Sequence, residues 1–359
     1  MNRKYRVIIG PSVIAGVSYE LSKALRSVGV KSDSFTWKSQ KEYMGYKFDK
    51  IFYTFPGTPP FYLFKKNPFY FINLFLKFIY LLFSMLKYNV YIFIKPITFL
   101  PNNIDIKLLK FFKKKIVFIF SGCMEKDPNF GLNQPDFECN HCKHEKKKKS
   151  SNCYNLEKKR EDVQEFEKMA DYIISNKDCG NFLTKKENMI YFLAATSESD
   201  NIDPFKKYEV EEITIVHLPS DMLAKQTNVI EPILKRIESE YQVRTIIKKD
   251  YWEREKLLQT LETSHILVES LGGITYGVLG VEAMARGCVV MSSYPEWISE
   301  NYDYHAVVKV TADNLYSTLC KYIENRKLLI DQAQKSIEFY KRYHSYEAVG
   351  NYYRIKLDL

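Results

Sequence analysis

"GGITYGVLGVEAMARGCVVMSS", residues 272–293, reads as a turn, a helix and a strand written almost entirely in small and apolar residues. It follows HILVES, residues 265–270, which has the composition of a buried strand. Glycines after a strand let backbone amides approach a ligand, and the start of the next helix offers the positive end of its dipole. Strand, crossover helix and second strand (CVVMSS) form a unit whose strands run parallel with a right-handed connection. One carboxylate, Glu282, interrupts the helix YGVLGVEAMARG before its closing Arg286. A carboxylate about one and a half turns into such a helix can accept two ribose hydroxyls, as acids do in dinucleotide folds. It can equally pair with a basic residue across the domain, and the residues alone leave both readings open.

The same rhythm extends outward. ITIVHLP and VRTIIKK read as strands, and NVIEPILKRIESEY and YWEREKLLQTLETS as the helices between them. The first half repeats the pattern: KYRVIIG is a strand ending in glycine, followed by the amphipathic helix SYELSKALRSVG. KIFYTFP, NVYIFIK and KIVFIFSG read as further strands, with DIKLLKFFKK a short helix and LEKKREDVQEFEKMADYII a long charged one. The tail, 311–357, is helical throughout. A chain of 359 residues exceeds one ordinary core, so two domains are expected. The fold class is α/β, with two Rossmann-like domains facing a cleft. We place the first at 1–184 with an insertion at 121–155, and the second at 185–345 after a linker near 184–212. A last helix, 346–359, returns to the first domain because the second is already covered on both faces. Ligands in such sheets bind beyond the carboxyl ends of the strands.

ITYGVLGVEAMARGCVVMSS resembles the nucleotide-sugar signature of group-1 (family 4 type) retaining glycosyltransferases of the GT-B fold. IVHLPSDMLAKQTNVIEPILKRI is similar to the strand, loop and helix that open that family's donor domain. NNIDIKLLKFFKKKIVFIFSG and GPSVIAGVSYELSKALRSVG resemble its acceptor-side strand and its first Gly-rich loop. The likeness spans most of 5–345, and only 276–292 is specific. It implies a sugar transfer from a nucleotide-diphosphate donor with retention and without a catalytic metal. The acceptor would be a glycan or a lipid-linked glycan of surface polysaccharide or glycoconjugate synthesis. It implies catalytic roles for Glu282, which would hold the ribose, and Lys225, which would neutralise the diphosphate. Donor binding is further implied for Tyr276 and Gly277 through their amides, and for the loop of Gly10 and Gly16. Turn chemistry accounts for those two glycines equally well.

Three positions depart from the family pattern. The first of its two donor glutamates, eight positions before Glu282, is Ile274 here, and Glu269 at the strand end is a candidate replacement. The diphosphate arginine falls at Met222 or Asp221, and the acceptor-side histidine at Ser121. The nucleotide half of the signature is kept better than the sugar half. A catalytically inactive sugar-nucleotide-binding or scaffold relative is therefore the alternative function.

Composition narrows the rest. Hydrophobic residues make up 46% of the chain and charged residues 27%, a globular balance, with a formal charge of +10 that favours polyanions. No helix-turn-helix, C2H2 spacing or aromatic RNP-type strand accompanies the charge, which argues against nucleic acid. The N-terminus lacks a cleavage-like site after its short apolar run, so a cytoplasmic location is expected, peripheral on the membrane face. NPFYFINLFLKFIYLLFSMLKYNVYIFIK, 67–95, divides into a helix at about 68–87 and a strand at 89–94. That helix fits a wide-faced core element, a helix lying on a bilayer or, least well given Lys77, a membrane span. Cys123, Cys139, Cys142 and Cys153 include a C-x2-C pair whose thiolates can chelate one tetrahedral ion, so a structural zinc site is expected there. Unlinked thiols and a redox pair remain alternatives. Cys179, Cys288 and Cys320 read as core residues.

Overall fold

The computed structural model describes residues 5–37, 45–55, 69–95, 97–120, 156–197, 203–272 and 275–359. They fall into two compact units. The first gathers the described residues up to 120, those of 156–194, and Tyr346–Leu359. The second is Ala195–Ser345. Cys123, Cys139, Cys142, Cys153 and Ser121 lie outside the described residues, as does Ile274.

The first unit is a seven-stranded parallel sheet. In chain order its strands are β1 (Arg6–Gly10), β2 (Lys31–Trp37), β3 (Lys50–Phe52), β4 (Val90–Ile94), β5 (Lys115–Ile119), β6 (Tyr172–Ser175) and β7 (Met189–Tyr191). Their spatial order is β3-β2-β1-β4-β5-β6-β7. Direction reverses between β1 and β4, the doubly wound arrangement of dinucleotide folds. Helices α1 (Val17–Ser27), α2 (Tyr70–Lys87), α3 (Ile104–Phe111), α4 (Leu156–Met169) and the single turn α5 (Lys177–Gly180) connect the strands. The central strands are apolar on both faces, as sheets covered twice must be. Phe35, Tyr91, Phe93, Phe99 and Phe118 form the core with Leu81, Ile106, Leu109 and Val163.

Three strands of this sheet differ from the sequence reading: β2, β6 and the short β7. KSDSFTW is β2, which its hydroxyls concealed. Phe35 and Trp37 enter the aromatic core, whereas Ser32 stands against α1, bonding the Ser22 carbonyl at 2.7 Å. A row of small side chains lets that helix approach closely. The charged helix α4 stops at Met169, and the YII after it belongs to β6, where Ile173 and Ile174 are buried.

The final helix, α11 (Tyr346–Lys356), completes this first unit by packing on α1. Gly350 makes the approach: a Cβ there would stand 2.1 Å from the Ala24 carbonyl oxygen. Tyr346 Oη donates to Glu20 at 2.5 Å, and the buried Tyr353 hydroxyl meets the backbone of Leu193. Gly350→Ala should therefore lower the unfolding free energy by about 1–3 kcal/mol, the usual cost of overpacking, as read by urea denaturation.

The second unit carries β8 (Ile213–His217), β9 (Val243–Ile247), β10 (Ile266–Ser270), β11 (Val289–Ser292) and β12 (Val308–Lys309). They form a parallel sheet in the order β12-β11-β10-β8-β9. Its helices are α6 (Thr227–Glu240), α7 (Arg254–Thr263), α8 (Gly277–Met284), α9 (Leu315–Glu324) and α10 (Arg326–Tyr343). Ile215, Val268 and Met291 of the sheet pack with Ile230, Leu234, Leu319 and Leu329. The chain reverses direction between β8 and β10, which places a ligand crevice beyond the carboxyl ends of those two strands.

Candidate functional site

The carboxyl end of β8 is tied down by a buried histidine. His217 Nδ1 lies 2.8 Å from the Val268 carbonyl oxygen of β10, and Nε2 lies 2.8 Å from Thr227 Oγ1 at the start of α6. A carbonyl only accepts, so Nδ1 carries the proton and Nε2 accepts from the threonine hydroxyl. Burial pushes the His217 pKa down to about 4, so the ring is neutral near pH 7. One side chain thereby fixes two strands and a helix start at the topological switch.

The loop leaving β8 turns on Asp221, whose Oδ1 accepts the Leu223 and Ala224 amides at 2.9 Å each. This side chain therefore serves the turn, and its neighbour Met222 is exposed. The turn returns Lys225 to the end of β10, where its ammonium pairs with Glu269 Oε1. Glu269 is the more enclosed partner, with 2% of its side chain accessible against 20% for Lys225. Burial raises its pKa, and the Lys225 charge opposes that rise. Glu269 Oε2 is buried and has no hydrogen-bond partner among the described residues.

Two glycines permit this convergence. Gly272 lets the loop after β10 abut the loop after β8, since a Cβ there would stand 2.9 Å from Gln226 Nε2 and 3.0 Å from the Ala224 carbonyl. Gly277 opens α8 in the left-handed region, at φ 63°. A Cβ at Gly277 would stand 2.7 Å from Glu269 Oε1 and 3.7 Å from Lys225 Nζ. Glycine is thus required twice there, by dihedral and by space. The Gly277 amide is already engaged by Thr275 Oγ1 at 3.0 Å. The Tyr276 side chain points elsewhere: its hydroxyl meets Tyr302 Oη at 2.7 Å and His344 Nε2 at 2.8 Å.

Glu282 is buried within α8, and Oε1 accepts from Arg254 of α7. Of the two readings left open by the sequence, the ion pair is present. Arg286, which closes the run, donates to the Glu282 carbonyl at 3.1 Å. Arg254 was not recognised in the sequence. It sits among the other charges of YWEREK, and nothing local marks the one that faces inward.

In the first unit both loop glycines have packing reasons. A Cβ at Gly10 would stand 2.3 Å from the Phe35 carbonyl oxygen. Gly16 adopts φ 64° with the Tyr46 ring against it, 2.0 Å from where a Cβ would be. Cys288 is buried, as expected of a core residue, and Cys320 is half-buried.

These two parallel units, the first closed by the last helix, have the GT-B fold, and solved structures bear this out. HepE from Anabaena in complex with UDP-glucose matches with a TM-score of 0.55 at 10% identity, over 99% of both chains. Sucrose-phosphate synthase from Thermosynechococcus elongatus matches with a TM-score of 0.56 at 13% identity, over 99% of this chain and 100% of that one. The spinosyn forosaminyltransferase SpnP matches with a TM-score of 0.51 at 12% identity, over 98% of this chain and 99% of that one. No family model matches the sequence, and no curated protein matches it.

Proposed function

We propose that this chain binds a nucleotide-diphosphate sugar at the carboxyl ends of β8 and β10 and transfers its sugar, with retention, to a glycan or lipid-linked acceptor. The observation that carries the reading is the meeting of Lys225, Glu269 and Gly277 at the switch point of the second sheet. A diphosphate brings negative charge to the Lys225 ammonium, and the first turn of α8 lies beside it. Stabilising the departing diphosphate is the main electrostatic task of such a transfer. Glu282 would add ribose contacts while Arg254 holds its other oxygen. The resemblance of 276–292 supports donor binding, and UDP is the natural first probe because HepE has been solved with UDP-glucose and with UDP. Surface polysaccharide or glycoconjugate assembly at the cytoplasmic side is the setting this reading implies.

A second reading has its own observation. Lys225 is already neutralised by Glu269, so an inactive sugar-nucleotide-binding relative fits the same geometry. Purified protein incubated with UDP-, GDP- and dTDP-sugars separates the two. Release of nucleoside diphosphate, enhanced by an acceptor, supports the transferase. Binding without release for every donor supports the inactive relative.

The four cysteines of the insertion are proposed as a structural zinc site, supported by their spacing and by a lysine-rich loop with little to bury. Elemental analysis should find about one zinc per chain, lost on Cys139→Ser/Cys142→Ser substitution. Zinc-free protein whose four thiols react freely in the native state would contradict it.

A further inference from the structure

Helix α2 carries two unlike faces. Its inner face docks on the sheet: Leu81 is fully buried, and Ser84 Oγ lies 3.0 Å from Tyr91 Oη. Asn73 Oδ1 accepts the Phe55 amide at 2.7 Å, and its Nδ2 donates to the Phe55 carbonyl at 3.2 Å. Lys77 reaches inward over the Trp37 ring, 4.9 Å from its centroid. The outer face is also apolar. Phe71, Phe75, Phe78, Leu82 and Leu86 recur at three- and four-residue spacing, and all are exposed. Phe71 is 77% accessible, Phe83 67% and Leu86 86%. No acidic residue occurs in the helix. A stripe of this size on a soluble surface marks an interaction site.

The carboxyl end of α2 joins that stripe to a basic groove. Lys87 and Tyr88, directly after Leu86, line an opening of about 500 Å³ with Arg6, Arg26, Lys31 and Asp33. Asp33 is taken by Lys87 at 2.6 Å and by the Tyr88 hydroxyl, and Arg26 pairs with Asp49 at 2.9 Å. Arg6 and Lys31 have no carboxylate partner among the described residues, so the groove keeps a surplus of positive charge. Lys114 donates to the carbonyls of Met85 at 2.7 Å and Tyr88 at 2.9 Å, holding the end of α3 beside the end of α2. Phe111 and Phe112, exposed there with Lys110 and Lys113 around them, extend the apolar surface.

We propose that this edge of the first unit is a docking site for an anionic phospholipid bilayer: the outer face of α2 enters the interface, and the Arg6–Lys31 groove takes a lipid phosphate. Charge complementarity selects this occupant. An apolar aromatic stripe rimmed by lysines matches the boundary between acyl chains and anionic headgroups, and each basic residue there adds attraction. The helix lies on the bilayer and does not cross it. Drawing it out of the unit would strip Leu81, Trp37 and Tyr91 of their packing and expose the Asn73 and Ser84 bonds to hydrocarbon. The inference is independent of the nucleotide site, which belongs to the other unit.

The test is co-sedimentation of the full chain with vesicles of phosphatidylcholine alone and of phosphatidylcholine with phosphatidylglycerol. The wild type should sediment with the anionic vesicles and release in high salt. Arg6→Ala/Lys31→Ala should weaken that partitioning about thirtyfold, roughly fivefold per charge. Phe75→Ser/Phe83→Ser/Leu86→Ser should abolish sedimentation with either vesicle, with an unchanged melting temperature confirming that the exposed residues do not serve the fold. Wild type that stays in the supernatant with anionic vesicles would overturn the proposal. So would an Arg6/Lys31 variant that partitions normally, or a wild-type dimer that the triple variant dissociates and that ignores vesicles. The last result would assign the stripe to a second copy of the chain.

Discussion

Arg254→Ala is expected to lower the unfolding free energy by about 3–5 kcal/mol, because it leaves the Glu282 carboxylate buried without its counter-charge. The loss comes from desolvation rather than from missing contact area. Removing the charge at the other end should therefore return part of it. In the Arg254→Ala background, Glu282→Gln should recover about 1–2 kcal/mol, since a neutral amide costs less to bury than a carboxylate. Urea unfolding of the single and double variants measures both figures. A single variant within about 0.5 kcal/mol of wild type would mean that water reaches the carboxylate, as at an ordinary surface site. Glu282→Gln alone should also weaken nucleotide binding if the second oxygen serves the ribose, by about 1.5–3 kcal/mol for a charge-assisted bond.

Lys225→Ala should have an effect of similar size and a distinct pH dependence. The substitution strands Glu269, which is buried like Glu282 and already has one oxygen without a partner among the described residues. Burial raises the Glu269 pKa, and Lys225 is what restrains the rise. In the variant the folded-state pKa should move higher still. A carboxyl group whose folded pKa exceeds its unfolded value binds more protons when folded, so stability falls as pH increases through that interval. The deficit of Lys225→Ala should thus be smallest in mild acid, below the unfolded carboxyl pKa, and reach about 3–5 kcal/mol above the raised folded pKa. Glu269→Gln in the same background should remove the pH dependence and part of the deficit, since a neutral amide costs less to bury than a carboxylate. Melting curves across the acid range check this, and a deficit independent of pH would show that Glu269 is not the titrating group.

The sequence made the second unit more legible than the first. The run from His265 to Ser293 announces strand, glycine turn, helix and strand because each segment is short and apolar and is punctuated by glycine. The order of elements then follows from the parallel-crossover rule. β2 escaped because its inward residues toward α1 are serines, and the reading of β6 as helix followed from the helical charge pattern before it. At the site, Lys225, Glu269 and Gly277 could each be picked out, but their meeting depends on two loops brought together by Gly272. The ion pair of Glu282 required knowing which arginine of a charged helix faces inward, and that is set by packing between α7 and α8. For α2, the sequence showed an apolar helix but not that its outer face stays uncovered.

If Lys225 and Glu269 form a diphosphate site, titration calorimetry with UDP and uridine will reveal it. Glu269→Gln is the reference, because losing Lys225 then leaves no buried charge unpaired. An arriving diphosphate adds negative charge beside Glu269, so wild-type binding should take up more proton, and tighten more as pH falls, than binding by Glu269→Gln, in which only the phosphate itself titrates. Adding Lys225→Ala to Glu269→Gln should weaken UDP by about 1.5–3 kcal/mol, or roughly ten- to a hundredfold, while uridine changes little. Equal loss for UDP and uridine, or no UDP binding by the folded wild type, would mean that Lys225 does not hold a diphosphate.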